Sequence, residues 1–166
     1  DVYDFDIMHG DFPESGQVEG PGGILYGVTP YGGAYGTGVL YRYTLSTGLY
    51  KDIFHFGLTN PPLPWWTPLI VGDSIILGVT SANTAQSGGA IYKFNLNDST
   101  FTVLYPFGPS DGSGNKSGMI QATDGKFYGA CTAGGAHGSG TLFRYDLPTN
   151  TFTKIYDFDT LSGIGP

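Results

Sequence analysis

The chain has 166 residues and a mass of 17.6 kDa, enough for one domain. Its 28 Gly and 11 Pro punctuate the backbone densely, whereas 12 Tyr, 11 Phe and 2 Trp bring the aromatic share to 15%, which excludes a charge-rich disordered polymer and points to an ordered, turn-dense fold. With 14 acids against 7 bases the net charge of −7 has the wrong sign for wrapping a phosphate backbone, and no apolar run approaches the roughly 20 residues of a membrane helix, so nucleic-acid binding and membrane insertion are not expected.

In chain order, the first strand-like piece is Tyr3-Asp4-Phe5-Asp6, read as a stray outer strand in residues 1–6. Three repeats follow, at residues 7–57, 58–108 and 109–159, and residues 160–166 form a tail. The period rests on internal similarity. Leu25 to Phe56 and Phe127 to Phe158 are identical at 14 of 32 positions without a gap, an offset of 102, and a middle copy at half that offset, 51, shows as Ile76-Leu77-Gly78-Val79-Thr80 and Ile91-Tyr92-Lys93-Phe94. Each repeat predicts four strands. The first is short (Gln17 to Glu19, Pro68 to Val71, Met119 to Ala122) and meets a tight turn at Gly22-Gly23, Asp73-Ser74 or Asp124-Gly125. The second is Leu25 to Thr29 and its equivalents. A glycine-rich loop leads to the third, Val39 to Tyr43, Ala90 to Phe94 and Thr141 to Tyr145, with period-two alternation. The fourth is Tyr50 to Phe56, Phe101 to Phe107 and Phe152 to Phe158, where Phe54, Tyr105 and Tyr156 share a face with Phe56, Phe107 and Phe158. Helical periodicity with caps is absent.

Four antiparallel strands every 51 residues is the arithmetic of a β-propeller blade, so the expected fold is all-β and propeller-like, with three four-stranded blades and one extra N-terminal strand. Rings of this kind close with about four to eight blades, and three leave open faces, so self-association into a ring or filament is expected. The chain starts at Asp1 with no initiator Met or signal peptide, which we read as a processed product or a window from something longer.

Phe127 to Asp146, Leu25 to Thr44 and, less closely, Ile76 to Asn95 resemble the tandem repeats called GloVer, with a consensus near L-Y-G-T-T-x-x-G-G-x-x-G-x-G-T-V-F-x-Y-D, found in secreted and surface-anchored bacterial proteins. The middle copy departs from that pattern in the loop from Ser81 to Ser87. The resemblance implies a propeller-like fold and an extracellular location, and it carries no catalytic residues.

Residues that could carry function are few. Trp65-Trp66, in a proline-rich connector, and Tyr35 and His137, at one repeat position in the glycine loops, are candidate contacts for a carbohydrate or a neighbouring copy. Tyr3 and Phe5 form a candidate assembly strand. Asn97-Asp98-Ser99 and Asn115-Lys116-Ser117 fit the N-linked sequon, and Ser74, Ser99 and Thr160 sit in Asp-Ser/Thr-apolar patterns that fit O-glycosylation. The glycine loops lack the Lys-Ser/Thr and the helix of a phosphate cradle. Asp111 to Asn115 lacks the distant Glu of a calcium loop. The acid pairs Asp4/Asp6 and Asp157/Asp159 serve an edge strand as well as they would a carboxylate pair. Cys131, the single cysteine, excludes an internal disulfide and a cysteine-based zinc cluster, and no metal or other cofactor is expected. The leading expectation is a non-enzymatic, extracellular, self-assembling structural protein; the alternative is a glycan-binding module of a bacterial surface protein.

Overall fold

The structure is a computed structural model that describes residues 3–57, 61–81, 88–114 and 117–166. The middle loop at 82–87 and the sequon residue Asn115 lie outside the described residues.

The strands run in chain order as β1 (Val18–Gly20), β2 (Ile24–Thr29), β3 (Val39–Thr44), β4 (Leu49–His55), β5 (Leu69–Val71), β6 (Ile75–Thr80), β7 (Ala90–Asn95), β8 (Thr100–Pro106), β9 (Ile120–Gln121), β10 (Phe127–Cys131), β11 (Thr141–Asp146) and β12 (Thr151–Asp157). They form three antiparallel sheets of four strands, each in simple sequence order, so each repeat is one blade. The turns between β3 and β4, β7 and β8, and β11 and β12 fall where Ser46-Thr47-Gly48, Asn97-Asp98-Ser99 and Pro148-Thr149-Asn150 place turn formers. Ser99 and Asn150 adopt positive φ there.

Blades pack face to face through two apolar layers. Between blades 1 and 2 lie Tyr26, Val28, Leu40 and Phe56 against Ile76, Tyr92 and Phe94. Between blades 2 and 3 lie Leu77, Val79, Ile91 and Phe107 against Phe127, Cys131, Phe143 and Tyr145. The middle blade is therefore covered on both sides, and β6 is buried at all but its first residue. In blade 3 the strands β10 and β11 alternate between buried and half-buried positions, the pattern of a sheet covered on one face only.

A glycine at one repeat position lets an aromatic ring lie across the sheet. Gly27, Gly78 and Gly129 stand directly opposite Tyr41, Tyr92 and Phe143 on the neighbouring strand. The ring tip fills the space where a Cβ would be, so no larger residue fits without moving a buried ring.

The segment Tyr3 to Asp6, expected as an extra strand, lies outside any ladder. Ladder pairing would need the third strand of a preceding blade, and no such strand occurs among the described residues. Rings hold the segment instead, as described below.

Substituting Gly78→Ala drives a methyl group into the fully buried Tyr92 ring, and we expect a loss of about 1–3 kcal/mol in urea unfolding. Gly78→Ala with unchanged stability would show that the ring does not need this close approach.

Candidate functional site

The outer strand of every blade carries a one-residue bulge at the same place. Pairing shifts between Leu40 and Tyr41, between Ile91 and Tyr92, and between Leu142 and Phe143, leaving Ile53, Leu104 and Ile155 as the extra residues. Side chains of a strand alternate faces, so Tyr50, Phe54 and Phe56 would all share one face of a regular strand. The bulge inverts the parity between them. Tyr50 consequently faces one side of blade 1, while Ile53, Phe54 and Phe56 pack on the other. Each blade thus has a donating face, which offers the Phe54/Phe56 pair or its equivalent, and a receiving face, which offers the Tyr41/Tyr50 pair or its equivalent.

The contact between these faces repeats with nearly constant geometry. Phe54 stacks on Phe101 with centroids 4.4 Å apart, and Tyr105 stacks on Phe152 at 4.2 Å. Phe56 meets Tyr92 at 5.3 Å, and Phe107 meets Phe143 at 5.2 Å. The N-terminal segment reproduces the pattern on blade 1, where Tyr3 stacks on Tyr50 at 3.8 Å and Phe5 meets Tyr41 at 5.2 Å. Offset and edge-on ring pairs of this kind add about 0.5–1.5 kcal/mol each beyond the apolar area they bury.

Further bonds tie the segment down. The Tyr50 hydroxyl donates to the His9 carbonyl, and Gly33 N–H donates to the Ile7 carbonyl. Burial, with Asp52 beside it, pushes the Tyr50 phenol far above its ordinary value, so it stays protonated as that donor. Asp6 accepts from the Met8 and His9 backbone N–H groups and pairs with the His9 ring. That ring's hydrogen bond lowers the Asp6 carboxyl and raises the His9 imidazole. Beside the segment an open pocket of about 240 Å³ remains, lined by Tyr3, Phe5, Gln17, Leu25, Tyr41, Tyr43 and Tyr50.

The opposite end of the stack is bare. Val18 and Leu69 pack into the two apolar layers, but Ile120, their equivalent in the third repeat, is 66% exposed. Ile53 and Leu104 are covered, whereas Ile155 and its neighbour Tyr156 are each 46% exposed. Tyr156 and Phe158 meet each other at 5.1 Å and stack on no other ring among the described residues.

The residues singled out as carbohydrate contacts do not converge. Tyr35 is exposed and lies over Gly57 in blade 1, whereas exposed His137 belongs to the equivalent loop of blade 3. Trp65 instead meets Tyr31 edge-on at 5.4 Å, and Tyr31 meets Phe12 at 5.8 Å. Trp66 is 37% exposed beside Gly118. Tyr31 and Phe12 were not legible as partners because neither repeats and Phe12 sits at an unforeseen positive φ. Among the glycosylation candidates, Asn97, Ser99 and Thr160 lie in exposed turns, and Ser74 is half-buried in a turn where its carbonyl accepts from Leu96. Asp111 is occupied structurally, its carboxylate accepting from the Tyr105 hydroxyl and Gly108 N–H. The acids of the Asp157/Asp159 pair are held apart in separate structural roles. Asp157 accepts from Ala136 N–H and pairs with Lys154, and Asp159 caps the turn at Leu161 and Ser162. Those hydrogen bonds lower both carboxyls.

A family model for the Gloeobacter/Verrucomicrobia repeat matches residues 2–166. The chain belongs to that family. Among curated proteins none matches. Among solved structures, TolB from Acinetobacter baumannii, which is β-propeller-like, is similar at 20% identity with a TM-score of 0.52, over 81% of this chain and 30% of the TolB chain. The extracellular domain of BT4673, a one component system of B. thetaiotaomicron, aligns at 12% identity with a TM-score of 0.34, over 88% of this chain and 22% of that one. The chain therefore spans less than a third of the TolB chain, and the likeness shows a shared blade fold. No helix long and apolar enough to cross a membrane occurs among the described residues.

Within this repeat family member, the ring that crosses the glycine varies in its hydroxyl. Gln17 donates to the Tyr41 hydroxyl at 3.1 Å, but Pro68 stands at the equivalent place in blade 2, and the buried Tyr92 hydroxyl has no partner among the described residues. In blade 3 the pair is Met119 with Phe143, which has no hydroxyl to satisfy. We expect Tyr92→Phe to leave unfolding free energy unchanged or raise it by about 1 kcal/mol, while Tyr41→Phe lowers it by about 0.5–1.5 kcal/mol. Equal losses in the two variants would contradict this account of the ring's partners.

Proposed function

We propose that the protein is a non-enzymatic, extracellular structural repeat module that completes its fold by associating with further copies, as a ring or a filament. The observation that carries this reading is the bare donating face of blade 3, where Ile120, Ile155 and Tyr156 are exposed at positions that are half-buried and packed on the apolar layers in blades 1 and 2. Full burial of an aliphatic or aromatic side chain is worth about 1.5–3 kcal/mol, so a partner covering this face gains several favourable contacts at once. Membership of the repeat family and its resemblance to secreted and surface-anchored proteins support the extracellular part of the reading. The engagement of Asp111, Asp157 and Asp159 in turn hydrogen bonds fits a scaffold better than a pair of reacting carboxylates. Sedimentation equilibrium tests the assembly. We expect species heavier than 17.6 kDa in the tens-of-micromolar range, and at least a tenfold weaker association in Ile155→Lys. A single 17.6 kDa species at every concentration would refute it.

A second reading, carbohydrate binding, is favoured by the surface cluster of Phe12, Tyr31 and Trp65, with Trp66 exposed nearby. On this reading a glycan array gives hits that are lost in Trp65→Ala and Tyr31→Ala. Hits that survive both substitutions, or an array with none, would remove it.

A further inference from the structure

The receiving face of blade 1 is occupied by a segment whose sequence recurs at the other end of the stack. Tyr3-Asp4-Phe5-Asp6 and Tyr156-Asp157-Phe158-Asp159 are the same tetrapeptide, separated by 153 residues, three repeat lengths. The first copy sits on Tyr41 and Tyr50 in the geometry that joins one blade to the next. The second copy has the same paired rings, 5.1 Å apart, and no receiving ring among the described residues.

We propose that the receiving face of blade 1 is the binding site for the donating face of a second copy, with Tyr156 and Phe158 of that copy taking the place of Tyr3 and Phe5. This rests on the self-association proposed above and names its contact. The N-terminal segment is then an internal competitor, a two-ring stand-in for a whole blade face.

The fit of the two candidates differs in a way the structure displays. In blades 2 and 3 the receiving residues Phe94 and Tyr145 are buried, at 1% and 0% exposure, because a complete donating face covers them. In blade 1 the equivalent Tyr43 still lines an open pocket with Leu25, since Tyr3 and Phe5 cover only part of the sheet. A second copy brings the same two rings and, in addition, Ile120 and Ile155, which are apolar and exposed. The segment has the advantage of being tethered, which gives it a high effective concentration, so exchange is set by copy number against tether. The contact joins unlike faces and therefore propagates head to tail, closing into a ring or continuing as a filament.

Removing the competitor while keeping the full chain tests this. In Tyr3→Ser/Phe5→Ser the receiving face is released, and sedimentation equilibrium should show association strengthened at least about tenfold over the wild type. A second test does not depend on that variant's fold. Full-length Tyr50→Lys, which keeps its donating face, and Tyr156→Lys, which keeps its receiving face, should each sediment as a single chain and form a two-chain species, and nothing larger, when mixed. Association that is unchanged or weaker in the double serine variant would overturn the exchange and leave self-association by another surface standing. Undiminished association of Tyr50→Lys alone would overturn it too, since donating faces would then meet each other. A wild type that stays single while the double serine variant assembles would support the exchange and refute only the reading that the intact chain assembles unaided.

Discussion

A one-residue bulge in each outer strand is the constraint on which the rest of this molecule depends. Without it, Tyr50, Phe54 and Phe56 would crowd one face of their sheet, and the receiving face of blade 1 would lose Tyr50, the ring on which Tyr3 stacks. With it, each outer strand is aromatic on both sides, and successive blades join by equivalent pairs, one stacked and one steeply inclined, at separations that differ by a few tenths of an ångström. The glycine beneath each receiving ring belongs to the same device. It lets Tyr41, Tyr92 or Phe143 lie flat enough for the N-terminal segment or the preceding blade to come close.

The same contact is repeated from blade to blade, and the two outer blades present complementary faces, a receiving face on blade 1 and a donating face on blade 3. The connector after blade 1 and the residues after blade 3 also match. Leu63 N–H donates to the Thr37 carbonyl at 3.0 Å, Gly165 N–H donates to the Ser139 carbonyl at 3.0 Å, and Pro64 and Pro166 each lie against a loop glycine, Gly38 and Gly140. The chain thus leaves blade 3 along the path by which it leaves blade 1. The donating face of blade 3 leaves the large apolar side chains Ile120, Ile155 and Tyr156 exposed.

Much of this was legible in the residues. The 51-residue period, the four strands per repeat and the sharing of a face by Phe54 with Phe56 all follow from alternation and turn chemistry. The bulge was not, because Ile53 and Leu104 read equally well as ordinary strand residues; a one-residue slip leaves no signature in a hydrophobic run. The same blindness hid the role of Tyr50 as a receiving ring. Tyr3 to Asp6 was legible as a match to Tyr156 to Asp159, but a match of sequence predicts a strand, and only packing shows that rings hold the segment where no ladder partner exists among the described residues. The glycan candidates fared differently, since Tyr35 and His137 share a repeat position in separate blades, whereas the neighbour of Trp65 is Tyr31. Contacts that obey the repeat are readable in the chain, and those that break it need coordinates.

The account stands or falls on what covers the donating face of blade 3. Electron microscopy of the native particles, carried to a resolution that shows side-chain rings, tests it most directly. The account predicts particles in which blades continue across chain junctions without interruption, each junction bearing Tyr156 stacked on a Tyr50 as Phe54 is stacked on Phe101 within the chain. Particles of a single three-bladed unit with that face open to water, or pairs joined face to like face, would contradict it.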